Sequence, residues 1–178
     1  MDASLSSDED SPHELSVFVD TPEDHPESAA ANLDESKLSH ILSSVQCTLD
    51  RHDKPASTVS VRIVSDETIA ELHERTMNIL GPTDVLTFDL SDESAPGDNA
   101  KNVGVEGDIV ISIDTAAREA RNRGHELIHE VMLYTIHATL HLLGFDDLNE
   151  TDAARMHAEE DAILKSMGVG AVYERPAT

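Results

Sequence analysis

Cysteine, tryptophan and other aromatic residues are scarce in this chain of 178 residues. The one cysteine, Cys47, excludes an intramolecular disulfide and any zinc site built from several cysteines. Tryptophan is absent and aromatic residues make up 3% of the chain, so there are few side chains on which the bases of a single-stranded nucleic acid could stack. A metal ion in this protein must therefore be bound by histidine and carboxylate side chains.

Long apolar runs are also missing. No stretch approaches the roughly 18 apolar residues that a membrane-spanning helix needs. The acidic N-terminus does not show the basic and then apolar order of a signal peptide. We expect a soluble, cytoplasmic protein with no membrane partner.

Basic residues are few, because 36 Asp and Glu stand against 12 Lys and Arg and give a formal net charge of −24. Nine of the acids fall in residues 1–30, which contain no Lys or Arg, so the rest of the chain is less extreme. Binding to phosphates requires Lys and Arg, and the charge taken alone argues against a polyanionic partner.

The remaining composition, with 39% hydrophobic residues, is sufficient for one core. We expect a disordered acidic tail over residues 1–13, one domain over 14–168 and a C-terminal tail over 169–178. Apolar periodicity predicts an α+β fold, in which about five helices pack a mixed four-stranded sheet. The predicted strands are 15–19, 58–64, 85–90 and 107–113, and the predicted helices are 33–49, 66–76, 115–123, about 126–143 and about 151–167. Ser65 and Asp114 are the predicted N-caps of the second and third helices, and Gly124 and Gly168 are the predicted ends of the third and last helices.

The stretch from 137 to 147 reads HATLHLLGFDD and lies at the end of the long predicted helix. Residues at i and i+4 project from one helix face, so His137 and His141 have the spacing of a helical metal clip. Gly144 is the residue type that ends helices in a left-handed conformation, and a third ligand could come from the aspartates that follow. Two imidazoles and one carboxylate with an open position are typical of catalytic zinc sites, whereas two core histidines bonded to carbonyl groups are the simpler alternative.

A competing motif, HELIH at residues 125–129, matches the HExxH signature of zinc proteases. A helical wheel places its histidines among apolar residues, whereas Glu130 and the histidines of the 137–147 stretch form a polar stripe. A solvated helix start after Gly124 also explains HELIH more simply. A zinc protease remains an alternative interpretation, and it would use His125, Glu126 and His129.

HATLHLLGFDD resembles HGxLHLxGYDH, the signature of the YbeY family of metal-dependent endoribonucleases. Neighbouring segments resemble the family in the same order: LHERTMNILGPTDVLTF at 72–88 is similar to its LNxxYRGKDxPTDVLSF, and GDIVIS at 107–112 is similar to the strand before its helical half. MHAEEDAILKSMG, at 156–168, resembles its closing helix. The resemblance extends from about residue 15 to residue 168.

The resemblance implies a three-histidine metal site, usually containing zinc. His137 and His141 match the first two ligands, and Asp147 stands where the family has the third histidine. We therefore expect one Zn²⁺ per chain, with a harder divalent cation as the alternative because of the carboxylate. The family also has an arginine resembling a phosphate-binding group where this chain has Met77, and Arg75 is the nearest substitute.

The family activity implied for the chain is cleavage of single-stranded RNA in the maturation of ribosomal RNA, at the 3′ end of the small-subunit RNA, and in ribosome quality control. The expected partners are ribosomal RNA and the small ribosomal subunit or its proteins. Glu130, which recurs in many members, could act as a general base or support a ligand histidine. A non-catalytic ribosome-assembly factor with the same fold is the second interpretation, because of the changes at positions 77 and 147.

Overall fold

The computed structural model describes residues 3–7, 11–20, 32–91 and 103–172, and contains a mixed sheet with helices on both faces. The α+β architecture predicted from the sequence is confirmed. The strands are β1 (Ala3–Ser6), β2 (Glu14–Val19), β3 (Thr58–Val64), β4 (Val85–Asp89) and β5 (Glu106–Ser112). The helices are α1 (Glu35–Arg51), α2 (Asp66–Met77), α3 (Ile113–Arg123), α4 (Leu127–Leu142) and α5 (Glu150–Ser166).

The strand order is β1-β2-β3-β5-β4. The three middle strands, β2, β3 and β5, run parallel, and the two edge strands pair antiparallel with their neighbours. Parallel neighbours need long crossover connections, which α1 supplies between β2 and β3. The sheet is therefore mixed, as the sequence predicted.

The sheet has five strands rather than the predicted four. The additional strand, β1, lies within residues 1–13, where the Ser, Asp and Glu content predicts a tail. Ala3 and Leu5 of this strand pack against the main core, while Ser4 and Ser6 are exposed. An edge strand needs a partner on only one side, so two small apolar contacts and the hydrogen bonds to β2 suffice. The polar composition hid this alternation.

Helix α4 lies at the centre of the fold and contacts α1, α3, α5, β4 and β5. Twelve of its sixteen residues are buried, which matches a sequence that is apolar nearly all round the helix. The opposite face of the sheet carries a smaller cluster, in which Ile69 and Leu72 of α2 cover Leu86, Phe88 and Val110. The site described below therefore stands on the most deeply packed helix.

The close approach of α4 to the sheet depends on Gly107 in β5. A Cβ atom at this position would lie 2.7 Å from Cδ2 of Leu142 and 2.9 Å from the carbonyl oxygen of Phe88. Only glycine admits both neighbours at once. This contact fixes the C-terminal end of α4 against β5, one residue away from His141.

Polar side chains and glycines define the helix ends. The Ser65 side chain caps α2 and Gly124 ends α3 with φ at 70°, both as the sequence predicted. The N-cap of α3 is Ser112 rather than the predicted Asp114, whose carboxylate accepts a hydrogen bond from the backbone N–H of Asp66 instead. No helix among the described residues is long and apolar enough to cross a membrane.

The chain continues to contact the domain after residue 168, where the sequence predicted the start of a tail. Val169 and Val172 pack against the main core, and the backbone N–H of Val172 donates to Asp161 at 2.8 Å. The domain boundaries at 13 and 168 otherwise stay predictions.

Candidate metal centre

His137, His141 and Asp147 converge at the C-terminal end of α4. One potential ligand atom from each residue lies within 4.8 Å of the other two. The two imidazole Nε2 atoms are 3.0 Å apart, and Asp147 carboxylate oxygens lie 3.8 Å from Nε2 of His137 and 3.9 Å from Nε2 of His141. In the part of the chain that the structure describes, this is the one group of three or more such side chains able to hold a metal ion.

His137 is held from behind by α5. Its Nδ1 atom lies 2.7 Å from Oε1 of Glu160, a side chain with no solvent exposure. A carboxylate accepts hydrogen bonds, so Nδ1 of His137 carries the proton and Nε2 presents its lone pair when the ring is neutral. Glu160 therefore selects the tautomer and the ring orientation.

His141 is held by the turn that follows the helix. Gly144 adopts a left-handed conformation with φ at 85°, and its N–H donates to the carbonyl oxygen of His141. The turn places the carbonyl oxygen of Phe145 3.0 Å from Nδ1 of His141. A carbonyl group can only accept, so Nε2 of this ring also presents a lone pair.

Three acceptor groups thus face one another, namely two imidazole lone pairs and one carboxylate. Such groups lie together stably around a positive charge, which is either a metal ion or a proton shared between the two Nε2 atoms. Burial lowers the pKa of the His137 imidazole, but the hydrogen bond to Glu160 and the negative charges of Glu160, Asp147 and Asp84 outweigh that effect and raise it. The site attracts positive charge.

The centre is open on one side. The side chains of His137 and His141 are 21% and 29% exposed, and that of Asp147 is 41% exposed. A structural zinc site is closed by four protein ligands, whereas a catalytic site keeps a position for water or substrate. The exposure of the three side chains is compatible with the open, catalytic type of site.

The two other aspartates near the centre have capping contacts. Asp146 accepts hydrogen bonds from the backbone N–H groups of Asp147 and Leu148 through Oδ1. Asp84 accepts from the Thr83 hydroxyl and the backbone N–H of Val85 at the start of β4. Both carboxylates are therefore engaged by groups of their own local segments.

Glu130 is fully buried. It lies two helical turns before His137, and its carboxylate binds residues of the α3–α4 turn. Its oxygens lie 3.0 Å from Nη1 of Arg123 and 2.9 Å from Nε2 of His125. Burial raises the pKa of this carboxyl, and the charge of Arg123 and a hydrogen bond from Tyr134 offset only part of the effect. These contacts fasten the α3–α4 turn to α4, and the catalytic role of Glu130 stays a prediction.

The HELIH motif is not assembled as a metal site. Helix α4 begins at Leu127 with Glu126 as its N-cap, so His125 precedes the helix. The His125 imidazole contacts Glu130, and its centroid is 6.4 Å from that of His129. The helical pair that HExxH chemistry requires is absent at these two histidines, which argues against the protease interpretation.

Arg75 and Met77 both lie in the last turn of α2, and both are exposed. Two residues along a helix differ by about 200° in direction, so the two side chains point to different sides. The role of Arg75 as a substitute for the family arginine stays a prediction.

Glu160 is the site residue that the sequence did not indicate. It lies 23 positions after His137, in a helix with many acids. The available signal was its position on the apolar face of α5, since Met156, Ile163 and Leu164 are three or four residues away and equally buried. A carboxylate in such a row requires a buried partner.

Comparisons with known proteins agree with this geometry. The family model described as Endoribonuclease YbeY matches residues 23–168. Endoribonuclease YbeY of Corynebacterium jeikeium is 40% identical over 143 residues, covering 78% of this chain and 77% of the relative. The protein of the same name from Carboxydothermus hydrogenoformans is 36% identical over 138 residues, covering 78% of this chain and 91% of the relative.

A solved structure supports the fold. The solution structure of TM1509 from Thermotoga maritima matches with a TM-score of 0.53 over 93% of this chain and 99% of that chain, at 19% identity. The family match covers most of the sequence, and the relatives are similar over more than two thirds of their own length. The chain therefore belongs to the endoribonuclease YbeY family.

Proposed function

We propose that His137, His141 and Asp147 bind the divalent metal ion with which this endoribonuclease hydrolyses single-stranded RNA. The observation that carries the proposal is the convergence of two oriented imidazole lone pairs and one carboxylate at a solvent-accessible position. A metal ion bound there supplies Lewis-acid chemistry, because it activates water and polarises a phosphate oxygen.

The donor set fits zinc. Ligand atoms of a tetrahedral zinc site with bonds of about 2.0–2.1 Å lie about 3.3 Å from one another. The Nε2 separation of 3.0 Å and the nitrogen-to-oxygen separations of 3.8 and 3.9 Å bracket that value. Two imidazoles favour zinc over magnesium or calcium, and the carboxylate adds affinity for harder cations such as manganese.

The protein residues orient the centre. Glu160 and the carbonyl oxygen of Phe145 hold the two rings in the tautomer that exposes Nε2. The Gly144 turn brings Asp147 back towards the helix, and the exposure of its side chain leaves room for a phosphodiester. No rearrangement of α4 is required for RNA to reach the centre.

We propose ribosomal RNA as the substrate, near the 3′ end of the small-subunit RNA, with cytoplasmic action together with the small ribosomal subunit or its proteins. The family resemblance supports this choice. The net charge of −24 means that the protein as a whole repels RNA. RNA contacts made by few cations are weak and sensitive to salt, so recruitment by a basic ribosomal protein is consistent with the charge.

The test combines metal analysis with RNA cleavage. The wild-type protein should contain or bind about one zinc per chain and cleave single-stranded RNA. Metal-free protein and His141→Ala should both lose cleavage. Thr87→Ser, a conservative change in β4 outside the proposed ligands, is the control and should keep cleavage. Full cleavage by His141→Ala or by metal-free protein would remove the mechanism.

A second experiment separates an enzyme from an assembly factor that has kept the fold. Joint replacement Met77→Arg and Asp147→His restores the family residues at the two positions where this chain departs from them. If cleavage appears only in this double variant while the wild-type protein associates with ribosomes, the chain acts without catalysis. Cleavage by the wild-type protein at a comparable rate supports the enzyme.

A further inference from the structure

Arg155 of α5 lies against the turn that follows α4, where it contacts an aromatic ring rather than a carboxylate. Its guanidinium carbon is 5.1 Å from the centroid of the Phe145 ring. Arginine stacks on aromatic faces while the N–H groups at its edge stay available to a phosphate. The stacking therefore restrains the guanidinium without using its hydrogen-bond donors.

The ring under Arg155 belongs to the turn that builds the site. The carbonyl oxygen of Phe145 accepts the hydrogen bond from His141, and Asp147 follows two residues later. Two residues span at most about 7 Å of chain. The guanidinium therefore lies against the turn that carries the proposed third ligand, Asp147.

Four other arginines of the described residues form ion pairs with carboxylates. Within the described ranges, ion pairs of 4.0 Å or less join Arg51 to Glu159, Arg62 to Asp20, Arg118 to Asp66 and Arg123 to Glu130. No ion pair of this length joins Arg155 to a described acid. Its positive charge is therefore available to an external anion.

The two acids that share a hollow with Arg155 are engaged by other groups. The hollow has a volume of about 260 Å³ and is lined by Leu143, Gly144, Phe145, Asp146, Asp152 and Arg155. The Asp146 carboxylate accepts from two backbone N–H groups of its own turn, and the Asp152 carboxylate accepts from the Asn149 side chain at 2.6 Å. Both carboxylates therefore bind groups of the protein other than the guanidinium of Arg155.

We propose that Arg155 binds a phosphodiester of the RNA strand adjacent to the one cleaved at the metal centre. The proposal rests on the proposed function and names the cation that this site uses on its substrate. In a chain with 36 acids, a restrained guanidinium on this turn gives the strand a fixed point.

The kinetic test compares Arg155→Gln and Arg155→Lys with Arg62→Gln, a charge-matched control on the other face of the sheet. Loss of one phosphate contact should lower kcat/KM about tenfold in Arg155→Gln and reduce the slope of log kcat/KM against log salt by about 0.7. Arg155→Lys should recover part of the rate, because it keeps the charge but not the planar fork. Arg62→Gln should leave both quantities unchanged.

Zinc affinity, measured by competition with a chromophoric chelator, separates substrate binding from positioning. Unchanged affinity in Arg155→Gln supports the phosphate contact. An affinity that falls in step with activity would show that Arg155 acts through Phe145 on His141, and would overturn the proposal. Unchanged kcat/KM in Arg155→Gln would overturn it as well.

Direct binding of the zinc-loaded protein to a short single-stranded RNA makes the proposal independent of cleavage. If the wild-type protein binds RNA without cleaving it, and Arg155→Gln binds about tenfold more weakly, the proposed hydrolysis fails but the phosphate contact stands. If Arg155→Gln binds as tightly as the wild-type protein, the phosphate contact fails. If the wild-type protein binds no RNA, both fail.

Discussion

Nδ1 of His137 and Oε1 of Glu160 are 2.7 Å apart, across 23 residues of sequence. This hydrogen bond joins the metal helix α4 to α5 inside the core, where Glu160 has no solvent exposure. It decides which nitrogen of His137 faces the centre. We therefore expect Glu160, which is not itself a proposed ligand, to control how well the site binds a metal ion.

Replacement of Glu160 by glutamine should weaken zinc binding by about 10- to 100-fold. Glutamine can still accept from Nδ1 through its carbonyl oxygen, but it lacks the charge that increases the basicity of the ring. Chelator competition measures the change. Glu159→Gln, in the next position and paired with Arg51, is the matched control and should bind zinc as the wild type does. Equal affinities in the two variants would show that the buried hydrogen bond is only structural.

Asp147→His should strengthen the binding of zinc and weaken the binding of manganese. An imidazole is a better ligand for zinc than for hard cations, and we expect an effect on the order of tenfold. Asp147→Asn, which keeps the shape but removes the charge, should bind both ions poorly. Titration of the metal-free proteins with each ion checks the order. Identical zinc affinity in all three proteins would exclude Asp147 as a ligand.

Glu130→Gln should change how the stability depends on pH. Burial raises the pKa of Glu130 in the folded protein, so its contribution to stability is complete below the unfolded pKa and is lost as the pH rises through the raised value. The wild-type protein should therefore lose stability relative to Glu130→Gln as the pH rises from about 4.5, by at most about 1.4 kcal/mol per pH unit.

Urea unfolding of both proteins at several pH values gives the required difference in unfolding free energy. The same preparations test whether Glu130 supports a ligand histidine. Because Arg123 and His125 hold the Glu130 carboxylate, we expect zinc affinity within about twofold of the wild type in Glu130→Gln. A parallel pH dependence in both proteins, or a lost metal site, would contradict this placement.

Gly107→Ala should destabilise the fold and disturb the metal centre together. The new Cβ would meet Leu142 and a backbone oxygen at under 3.0 Å, and the backbone atom cannot move aside cheaply. Overpacking of this kind costs about 1–3 kcal/mol. Denaturant unfolding and zinc titration measure the two effects. A double-mutant cycle with Leu142→Ala should show favourable coupling, and strict additivity of the two changes would indicate that α4 does not rest on β5 here.

Local periodicity sufficed for much of this fold. Strand β3 and helices α2 and α5 lie where alternation, the Ser65 cap and Gly168 indicate them, because each of those signals acts within a few residues. The pairing of His137 with His141 could also be predicted from the sequence, since residues i and i+4 on a helix always share a face.

Features that depend on contacts between distant segments could not be predicted in the same way. Strand β1 depends on pairing with β2, and Glu160 depends on the packing of α5 against α4, so neither is encoded in its own neighbourhood. Asp114 is a suitable cap by type, but Ser112 directly precedes the first helical residue, and the backbone N–H of Asp66 binds the Asp114 carboxylate. Tertiary contacts decide between residues of equal local suitability.

The proposed ligands lie within an eleven-residue segment, from His137 to Asp147, whereas their support lies in a separate helix. Closing so short a loop costs little chain entropy, so the segment alone can gather the three ligands. Orientation of His137 comes only when α5 is in place. If the proposed site binds zinc, its affinity would measure tertiary assembly, and a loosened α5 would release the ion before the helix carrying the histidines unfolds.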